Sequence, residues 1–431
     1  MKRRYVAMIS AVLCSAMILS ACGNSKKTES IYTGDKTEVP AWQANLDAIS
    51  PSAYADVEGL DLEPGTYISV IGRAGGTPYW DEVKKGVEQA AEDLNESLGY
   101  SGDDKIKVVY NAPDENDNID EMVNILDEEL ARYPDVIAVS SIDESASEVQ
   151  FDLATANGIP IVAFDSGNSY QGIQCICRTD NKEAAKTGVK KLCEAIGDSG
   201  EIALLLNDSV SENGKEREAG VTEEIKANHP DVSVVETIYV DELDQLKRKA
   251  AAEQLGMSAE DLAAAEAGEK MDDAAQTTGT ANGSGTDTAT KDGATAPTVA
   301  EKFEEVKSAA DKMSNEEAAA YYLKKHPELK GIFALNETST QLGIQVLDEL
   351  DNSDEIQIVG FDAGKEQVKA LEDGKLDGLV VQNPFGMGYA AVIASARTVL
   401  EIGNEAEVNT GYVWVTAENM DDADIKPLVY K

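Results

Sequence analysis

The chain has 431 residues and a formal net charge of −43, because 80 Asp and Glu residues outnumber 37 Lys and Arg residues. Such a surface repels phosphate backbones and anionic lipid head groups, so the composition excludes a nucleic-acid-binding protein. The length allows two α/β domains in addition to shorter segments.

Residues 1–21 have the organisation of a secretory signal peptide. Basic residues occupy 2–4, and 5–18 form an apolar run of 14 residues, which is too short to span a membrane. The sequence from Leu19 to Cys22 resembles the lipobox of bacterial lipoproteins, in which cleavage leaves the cysteine as the lipidated first residue. The alternative is a plain signal peptide followed by a chance cysteine. The lipobox predicts an extracytoplasmic protein held at the cell membrane by its lipid.

A polar segment follows the signal peptide and runs over 22–64. It contains Pro40, Pro51 and Pro64. Proline and polar residues disfavour a stable fold, so we predict a lipidated polar tether over this range.

From Tyr67 onward, apolar runs of strand length alternate with helical patterns. This alternation predicts parallel sheets with right-handed crossovers. The predicted strands are, in chain order, YISVIGR, IKVVYNA, DVIAVSS, IPIVAFD, GIQCICRTDN, EIALLLN, VSVVETIYV, GIFALN, IQIVGFD, DGLVVQN and GYVWVTA. The predicted helices cover 78–98, 117–131, a segment from about 145, 182–196, 214–228, 315–326, 338–350, 365–372 and 385–401.

Residues 242–313 interrupt the alternation and are predicted to be an insertion. Within it, 274–298 contain no Val, Ile, Leu, Met or aromatic residue, so we expect this part to be disordered. The flanks have helical patterns, and capping boxes begin at Thr298 and Ser314. The pattern indicates a loose helical hairpin with a disordered tip.

Polar and aromatic side chains follow the predicted strands, at the edge where open α/β sheets bind ligands. Aromatic faces stack on sugar rings, while carboxylates, amides and guanidinium groups hydrogen-bond sugar hydroxyls. Six of these side chains also have a simpler structural interpretation. Tyr79 and Trp80 could open a core helix, and Asp165 and Asp362 could cap the following loops or helices. Arg217 could be a solvated helix charge, and Gln382 could bond backbone at a crossover, but the number of such residues favours a binding site. The candidate ligand-binding residues are Arg73, Thr77, Tyr79, Trp80, Asp165, Ser166, Arg217, Asn336, Asp362 and Gln382.

Three cysteines, Cys175, Cys177 and Cys193, lie in the predicted domains. Three is an odd number, so at most one disulfide can form among them. The simpler interpretation is that they are small core residues.

Apart from the insertion, the chain from Tyr67 to its end resembles the ribose-binding type of periplasmic sugar-binding protein. These proteins are the cluster B, type I substrate-binding components of ABC importers. The segments that carry the resemblance are TPYW, IPIVAFDSG, the DN pair at 180–181, GKEREAG, HPELKGIFALNE, IQIVGFDAG and GKLDGLVVQNPFGMGY.

The resemblance implies an α/β fold of two doubly wound parallel-sheet lobes joined by a three-segment hinge. Lobe one would comprise 65–178 and 384–411. Lobe two would comprise 179–382 and 412–431, with the insertion inside it.

The resemblance also assigns roles to individual residues. Tyr79 and Trp80 match the aromatic residues that contact the sugar ring. The residues that match the family's hydrogen-bonding positions are Asp165, Arg217, Asn336, Asp362 and Gln382.

The chain departs from the ribose-binding pattern at three of the candidate positions. Thr77, Ser166 and Arg73 stand where the family has Asn, Arg and a small polar residue. These departures argue against ribose as the ligand. They leave both a neutral polar ligand and a phosphorylated one open.

The function implied is capture of a small polar ligand, a monosaccharide first of all, between two lobes and delivery to an ABC transporter permease. A sensory lipoprotein that presents its closed form to a membrane receptor or kinase fits the same residues. The expected partners are therefore the ligand, the permease and, through the lipid on Cys22, the membrane. We expect a monomer that binds no nucleic acid.

Two other functional classes are disfavoured. The sequence carries no activated nucleophile, metal-ligand cluster or phosphate-binding loop, so we expect no enzymatic activity, cofactor or metal. A regulator of the lactose-repressor type would share the fold, but a signal peptide stands where its DNA-binding helices belong.

Overall fold

The computed structural model describes residues 39–115, 117–277, 298–351, 353–423 and 425–430, with the backbone alone over 270–277. The first part of the chain supplies five strands and four helices. In chain order these are α1 (Gln43–Asp47), β1 (Tyr67–Ile71), α2 (Pro78–Leu98), β2 (Lys107–Asn111), α3 (Ile119–Leu130), β3 (Val136–Val139), α4 (Glu148–Ala156), β4 (Ile161–Phe164) and β5 (Ile173–Arg178).

The remainder of the chain adds seven strands and nine helices in the described residues. They are α5 (Asn181–Ala195), β6 (Gly200–Leu206), α6 (Glu212–Asn228), β7 (Val232–Tyr239), α7 (Leu243–Gln254), α8 (Ala259–Thr277), α9 (Val299–Ala310), α10 (Asn315–Leu323), β8 (Leu329–Ala334), α11 (Glu337–Leu347), β9 (Gln357–Phe361), α12 (Lys365–Glu372), β10 (Gly378–Gln382), α13 (Pro384–Val399), β11 (Glu407–Asn409) and β12 (Tyr412–Val415).

The strands form two six-stranded sheets. The first has the order β11-β5-β4-β3-β1-β2 and is parallel throughout, and the second has the order β12-β10-β9-β8-β6-β7. Only the edge strand β12 runs antiparallel to its neighbour, β10. The chain passes between the sheets three times, after β5, after β10 and after β11. This architecture confirms the predicted fold class, while β11 was missed because three residues are too few to show a periodic pattern.

Residues 41–64 are folded, so the prediction of an unstructured tether as far as Pro64 is wrong for this part. Tyr54 is 1% exposed, and its hydroxyl contacts Asn404 at 3.2 Å and the backbone N–H of Glu405 at 2.6 Å. Ser50 pairs with Asn409 of β11 in an antiparallel bridge. The apolar residues that bury this segment in the core are Leu46, Ile49, Tyr54, Leu60 and Leu62.

The predicted insertion is more ordered than a loose hairpin. Helices α7, α8 and α9 share a buried cluster made by Ala251, Ala252, Met257, Leu262, Phe303, Val306 and Ala310. Leu243 of α7 and Ala319 of α10 belong to the main core, so α7 also connects the insertion to the rest of the fold. The expectation of loose packing is therefore wrong, because these side chains bury one another.

The predicted disordered tip, 274–298, lies for the most part outside the described residues. Of its ends, 274–277 continue α8, and Thr298 caps α9. Both predicted capping boxes are present, with Thr298 paired to Glu301 and Ser314 paired to Glu317.

Helices α2 and α13 pack closely against each other on the first sheet, and this packing fixes the position of the start of α2. A Cβ on Gly86 would collide with the carbonyl of Phe385, and one on Gly388 would collide with the carbonyl of Val83. Glycine at these two positions therefore permits the close approach. The N-terminus of α2, which carries Tyr79, lies at the carboxyl edge of the sheet.

The three cysteines are free thiols in the core, as the simpler interpretation predicted. Cys175 and Cys177 lie on β5 with their Sγ atoms 3.9 Å apart. Burial raises the pKa of Cys177 well above its ordinary value.

Candidate functional site

A cavity of about 480 Å³ lies where the carboxyl ends of the two sheets meet. Nine of the ten candidate residues line it, from both lobes. The tenth, Ser166, lies behind the wall and accepts a hydrogen bond from Arg73 at 2.8 Å. The nine lining residues are Arg73, Thr77, Tyr79, Trp80, Asp165, Arg217, Asn336, Asp362 and Gln382.

Asp165 is the centre of the first lobe's wall. It directly follows β4 with φ of 54°, a left-handed conformation that Asp tolerates better than most residues. Its carboxylate accepts hydrogen bonds from the Tyr79 hydroxyl at 2.7 Å and from the Ser140 hydroxyl at 3.1 Å. Burial, together with the charge of Asp165, raises the pKa of Tyr79 well above its ordinary value. Tyr79 is therefore a neutral hydroxyl fixed beside the cavity.

Trp80 belongs both to the cavity wall and to the core. Its ring meets Tyr79 edge-on, with centroids 5.3 Å apart, and Phe164 edge-on at 6.3 Å. The side chain is 7% exposed. Trp80 therefore both lines the cavity, as a ligand-binding residue would, and packs in the core, as a structural residue would.

Arg217 is the centre of the second lobe's wall. Although it is only 4% exposed, all three nitrogens of its guanidinium have partners in the protein. They donate to Asn181 Oδ1 at 2.8 Å, to the carbonyl of Leu335 at 2.6 Å and to Gln382 Oε1 at 2.9 Å. The guanidinium also lies 4.4 Å from the ring centroid of Phe361. Arg217 is a buried, fully oriented group rather than a solvated helix charge.

A relay of hydrogen bonds continues from Arg217 to Asp362. Gln382 donates to Asp362 Oδ1 at 2.8 Å, and the backbone N–H of Glu337 donates to Asp362 Oδ2 at 3.1 Å. Burial raises the pKa of Asp362, although the Arg217 charge and the Gln382 bond oppose the shift. Asp362 has φ of 70°, so it too adopts the left-handed conformation.

Two predicted residues are helix caps as well as cavity residues. Thr77 caps α2 by accepting the Trp80 backbone N–H at 3.3 Å, and Asn336 caps α11 by accepting the Ser339 N–H at 2.9 Å. Capping fixes the orientation of both side chains at the cavity wall.

Arg73 takes part in a polar bridge between the lobes. Its guanidinium contacts Asp117 at 2.7 and 2.8 Å and Asp208 at 3.9 Å. Asn207 of the second lobe donates to Asp117 Oδ2 of the first at 3.1 Å. The bridge thus spans the cleft at the cavity wall.

The sequence-based predictions did not include the acidic groups of this bridge, Asp117 and Asp208. Asp208 follows β6 after Asn207, so the strand-end rule pointed to it, but the residue predicted here was Arg217 of the later GKEREAG segment. Burial alone raises the pKa of Asp208, but the backbone N–H of Ser211 and the charge of Arg73 hold that pKa below its ordinary value. Asp208 is therefore ionised at neutral pH.

Glu337 is the other acidic residue that was missed. It begins α11 beside Asn336 and lines the cavity next to Asp362. Burial, followed by the charges of Asp362 and Glu366, raises the pKa of Glu337 to about 7. The carboxyl group is therefore poised to change its charge near neutral pH.

The fold and the interlobe cavity define a type I periplasmic binding protein, a class in which two α/β lobes enclose a solute. The family described as periplasmic binding protein domain matches residues 68–300 and 261–401. The chain belongs to this family, whose members are solute-binding proteins rather than enzymes. No curated protein matches the chain.

Solved structures with the same fold include sugar-bound transporter components. A solute-binding protein of an ABC transporter from Agrobacterium vitis, bound to α-D-tagatopyranose, is 20% identical with a TM-score of 0.61, over 85% of this chain and 99% of that chain. A carbohydrate transporter protein from Agrobacterium radiobacter with D-arabinose is 21% identical with a TM-score of 0.60, over 84% and 99%. A glucose-galactose binding protein from Geobacillus stearothermophilus is 19% identical with a TM-score of 0.59, over 83% and 99%.

Within the described residues, no helix combines the length and the apolar character needed to cross a membrane.

Proposed function

We propose that this protein is an extracytoplasmic solute-binding lipoprotein that captures a monosaccharide in the cleft and delivers it to an ABC transporter permease. The observation that carries the proposal is the cavity between the lobes, in which oriented hydrogen-bonding groups from both lobes face a space of about 480 Å³. A monosaccharide presents hydroxyls on its edge and has an apolar face. Hydrogen-bonding side chains suited to the hydroxyls and aromatic side chains suited to the apolar face both line this cavity.

The ten candidate residues have distinct roles in this proposal. Tyr79 and Trp80 contact the apolar face of the sugar. Asp165, in the first lobe, accepts hydrogen bonds from the sugar hydroxyls. Thr77, Arg73 and Ser166 shape the same wall. From the second lobe, the hydrogen-bonding residues are Arg217, Asn336, Asp362 and Gln382.

Ligand binding would favour closure because the ligand touches both lobes at once. Only an interaction that differs between the open and closed states can shift the equilibrium between them. The contact of Asn207 with Asp117, and that of Lys215 with Glu144 at 3.5 Å, already join the lobes and would add to this preference.

A panel of sugars tests ligand capture. Protein unfolded and refolded to remove any bound solute should melt at a higher temperature with a sugar such as D-arabinose, D-tagatose, D-fucose, D-glucose or D-galactose. A ligand present at 100 times its dissociation constant adds about 2.7 kcal/mol to the unfolding free energy. If neither these neutral sugars nor amino sugars and sugar phosphates raised the melting temperature, the proposal of a sugar ligand would be wrong.

Membrane anchoring is tested separately. Labelled palmitate should be incorporated into the wild-type protein in cells and not into a Cys22→Ala variant. Labelling that persists in the variant contradicts lipidation at Cys22. Uptake of the bound sugar should also be lost when the gene is deleted. Normal uptake in the deletion strain would favour the sensory alternative over transport.

A further inference from the structure

The charge of the cavity is unbalanced. Two guanidinium groups, those of Arg73 and Arg217, face the cavity from opposite lobes. The carboxylic acids that line the same space are Asp117, Asp165, Asp208, Glu337 and Asp362. Carboxylates therefore outnumber cations among the lining residues, and a ligand that enters meets an excess of negative charge.

Both guanidinium groups already have partners within the protein. Arg73 is paired with Asp117 and bonded to Ser166, and it lies 3.9 Å from Asp208. Its positive charge is already balanced by the protein.

The three nitrogens of Arg217 donate to Asn181, the Leu335 carbonyl and Gln382. These bonds use three of the five N–H groups of the guanidinium, so a phosphate or carboxylate on the ligand could bond only to the remaining two. It would also lie close to the acidic side chains.

One end of the cavity has two carboxyl groups that form no ion pair among the described residues. Glu337 and Asp362 lie together there, joined by the bond from the Glu337 backbone N–H to Asp362. Among the described residues, no side chain donates a hydrogen bond or forms an ion pair with the Glu337 carboxyl group. Asp362 receives Gln382 and has acceptor capacity left. Burial and, after it, the charge of Asp362 raise the pKa of Glu337, so a positive charge placed between the two carboxyl groups would be favourable to both.

We propose that the physiological ligand is a cationic amino sugar, a monosaccharide whose protonated primary amine lies between Glu337 and Asp362. This inference rests on the proposed function and names the ligand class of the same site. The ammonium group supplies three donors and a positive charge, and it meets two carboxyl groups that form no ion pair among the described residues. Sugar phosphates and uronic acids are excluded by the same excess of negative charge.

Calorimetric titration of matched sugars tests the proposal. The probes are D-glucosamine with D-glucose, D-galactosamine with D-galactose and D-mannosamine with D-mannose, each at pH 7. One amine should bind at least about tenfold more tightly than its neutral parent, a difference of about 1.4 kcal/mol. Its N-acetyl derivative, which lacks the charge, should lose this advantage, and glucose 6-phosphate should not bind.

A substitution tests the position of the amine. Glu337→Gln should reduce the preference for the amine, measured as the ratio of the amine and parent affinities in the same variant, to less than about threefold. The exposed Glu349→Gln serves as the control and should keep the preference. Melting curves will reveal whether Glu337→Gln unfolds the protein. In that case Gln341→Glu replaces it as the test, because this variant adds a carboxyl group to the cavity wall and should strengthen amine binding.

The outcomes separate the two proposals. A neutral sugar or a sugar phosphate that binds more tightly than every amine would overturn the inference and leave sugar capture intact. An amine preference unchanged in Glu337→Gln would overturn the assigned position. Failure of all the sugars, charged or neutral, would overturn the proposed function itself.

Discussion

Asp165 and Asp362 occupy equivalent positions in the two lobes. Each directly follows a strand with left-handed φ, and each donates its backbone N–H to the next strand, Asp165 to the Cys177 carbonyl at 2.9 Å and Asp362 to the Val380 carbonyl at 2.8 Å. The left-handed residue ends the strand and turns its carboxylate into the cavity. Because Asn and Gly accept this conformation and Ala does not, substitutions here separate backbone strain from the function of the carboxylate.

Substitution of Asp362 should have effects that depend on the replacement. Asp362→Gly keeps the backbone conformation and removes the carboxylate, whereas Asp362→Ala adds strain of about 1–2 kcal/mol. Both variants should bind ligand weakly, but Ala should melt at a lower temperature than Gly. Equal melting temperatures would show that the left-handed conformation carries no cost here.

Arg217→Ala should lower the stability of the ligand-free protein as well as the affinity. The guanidinium is buried and donates to the Leu335 carbonyl and to Gln382. Hydrogen bonds to charged groups contribute about 1.5–3 kcal/mol, so chemical denaturation should show a decrease of at least about 1.5 kcal/mol in the free energy of unfolding. The half-exposed Arg248→Ala is the matched control, and a loss no larger than that of this control would contradict the account.

The stability of the ligand-free protein should depend on pH through Glu337. Its pKa is about 7 in the folded protein against an ordinary value of 4.5, so the folded state holds this proton more tightly. The contribution of protonated Glu337 to the free energy of unfolding is therefore present at low pH and is lost as the pH rises from about 4.5 through 7. Glu337→Gln should be more stable than the wild type by about 1–3 kcal/mol at pH 8 and similar to it at pH 4.5. A difference that is the same at both pH values would contradict the shifted pKa.

Residues 41–64 should be essential for folding. Each apolar side chain that this segment buries contributes about 1.5–3 kcal/mol, and their sum exceeds the stability of many domains. Protein that lacks 1–64 should fail to give a cooperative melting transition, whereas protein that lacks 1–40 should melt like the full chain. Tyr54→Ala should cost about 3–5 kcal/mol. Normal melting of the shorter protein would show that the segment only rests on the surface.

The tip of the insertion should be dispensable, while its packed base should not. Replacing 278–297 with a Gly/Ser linker should leave affinity within about threefold, or less than 1 kcal/mol. Removing 250–312 should destabilise the protein, because Ala251, Phe303 and Val306 are buried members of the helical cluster. Phe303→Ala should cost about 3–5 kcal/mol of stability with little change in affinity. A large loss of affinity on removal of the tip would mean that it reaches the cleft.

The sequence predicted the sheets and most of the cavity because both depend on local patterns. Strand ends are visible as apolar runs that stop at a polar residue, and Asp165, Asp362 and Gln382 were found in this way. Asp117 was missed because it follows β2 only after a loop. The fold of 41–64 was missed because it depends on contacts distant in sequence, such as that of Tyr54 with Asn404. Such a contact cannot be predicted from local composition.

Calorimetric titration of Asp165→Asn tests the central claim of ligand capture between the lobes most directly. Asn keeps the left-handed backbone and can still accept a bond from Tyr79, so only the charge and one acceptor oxygen are lost. With the sugar that gives the largest thermal shift, the wild type should bind in one-to-one stoichiometry, and Asp165→Asn should bind about 10- to 150-fold more weakly. Asp152→Asn, on α4 outside the cavity, should bind like the wild type. Equal affinity of Asp165→Asn and the wild type would contradict the account and place the binding site elsewhere.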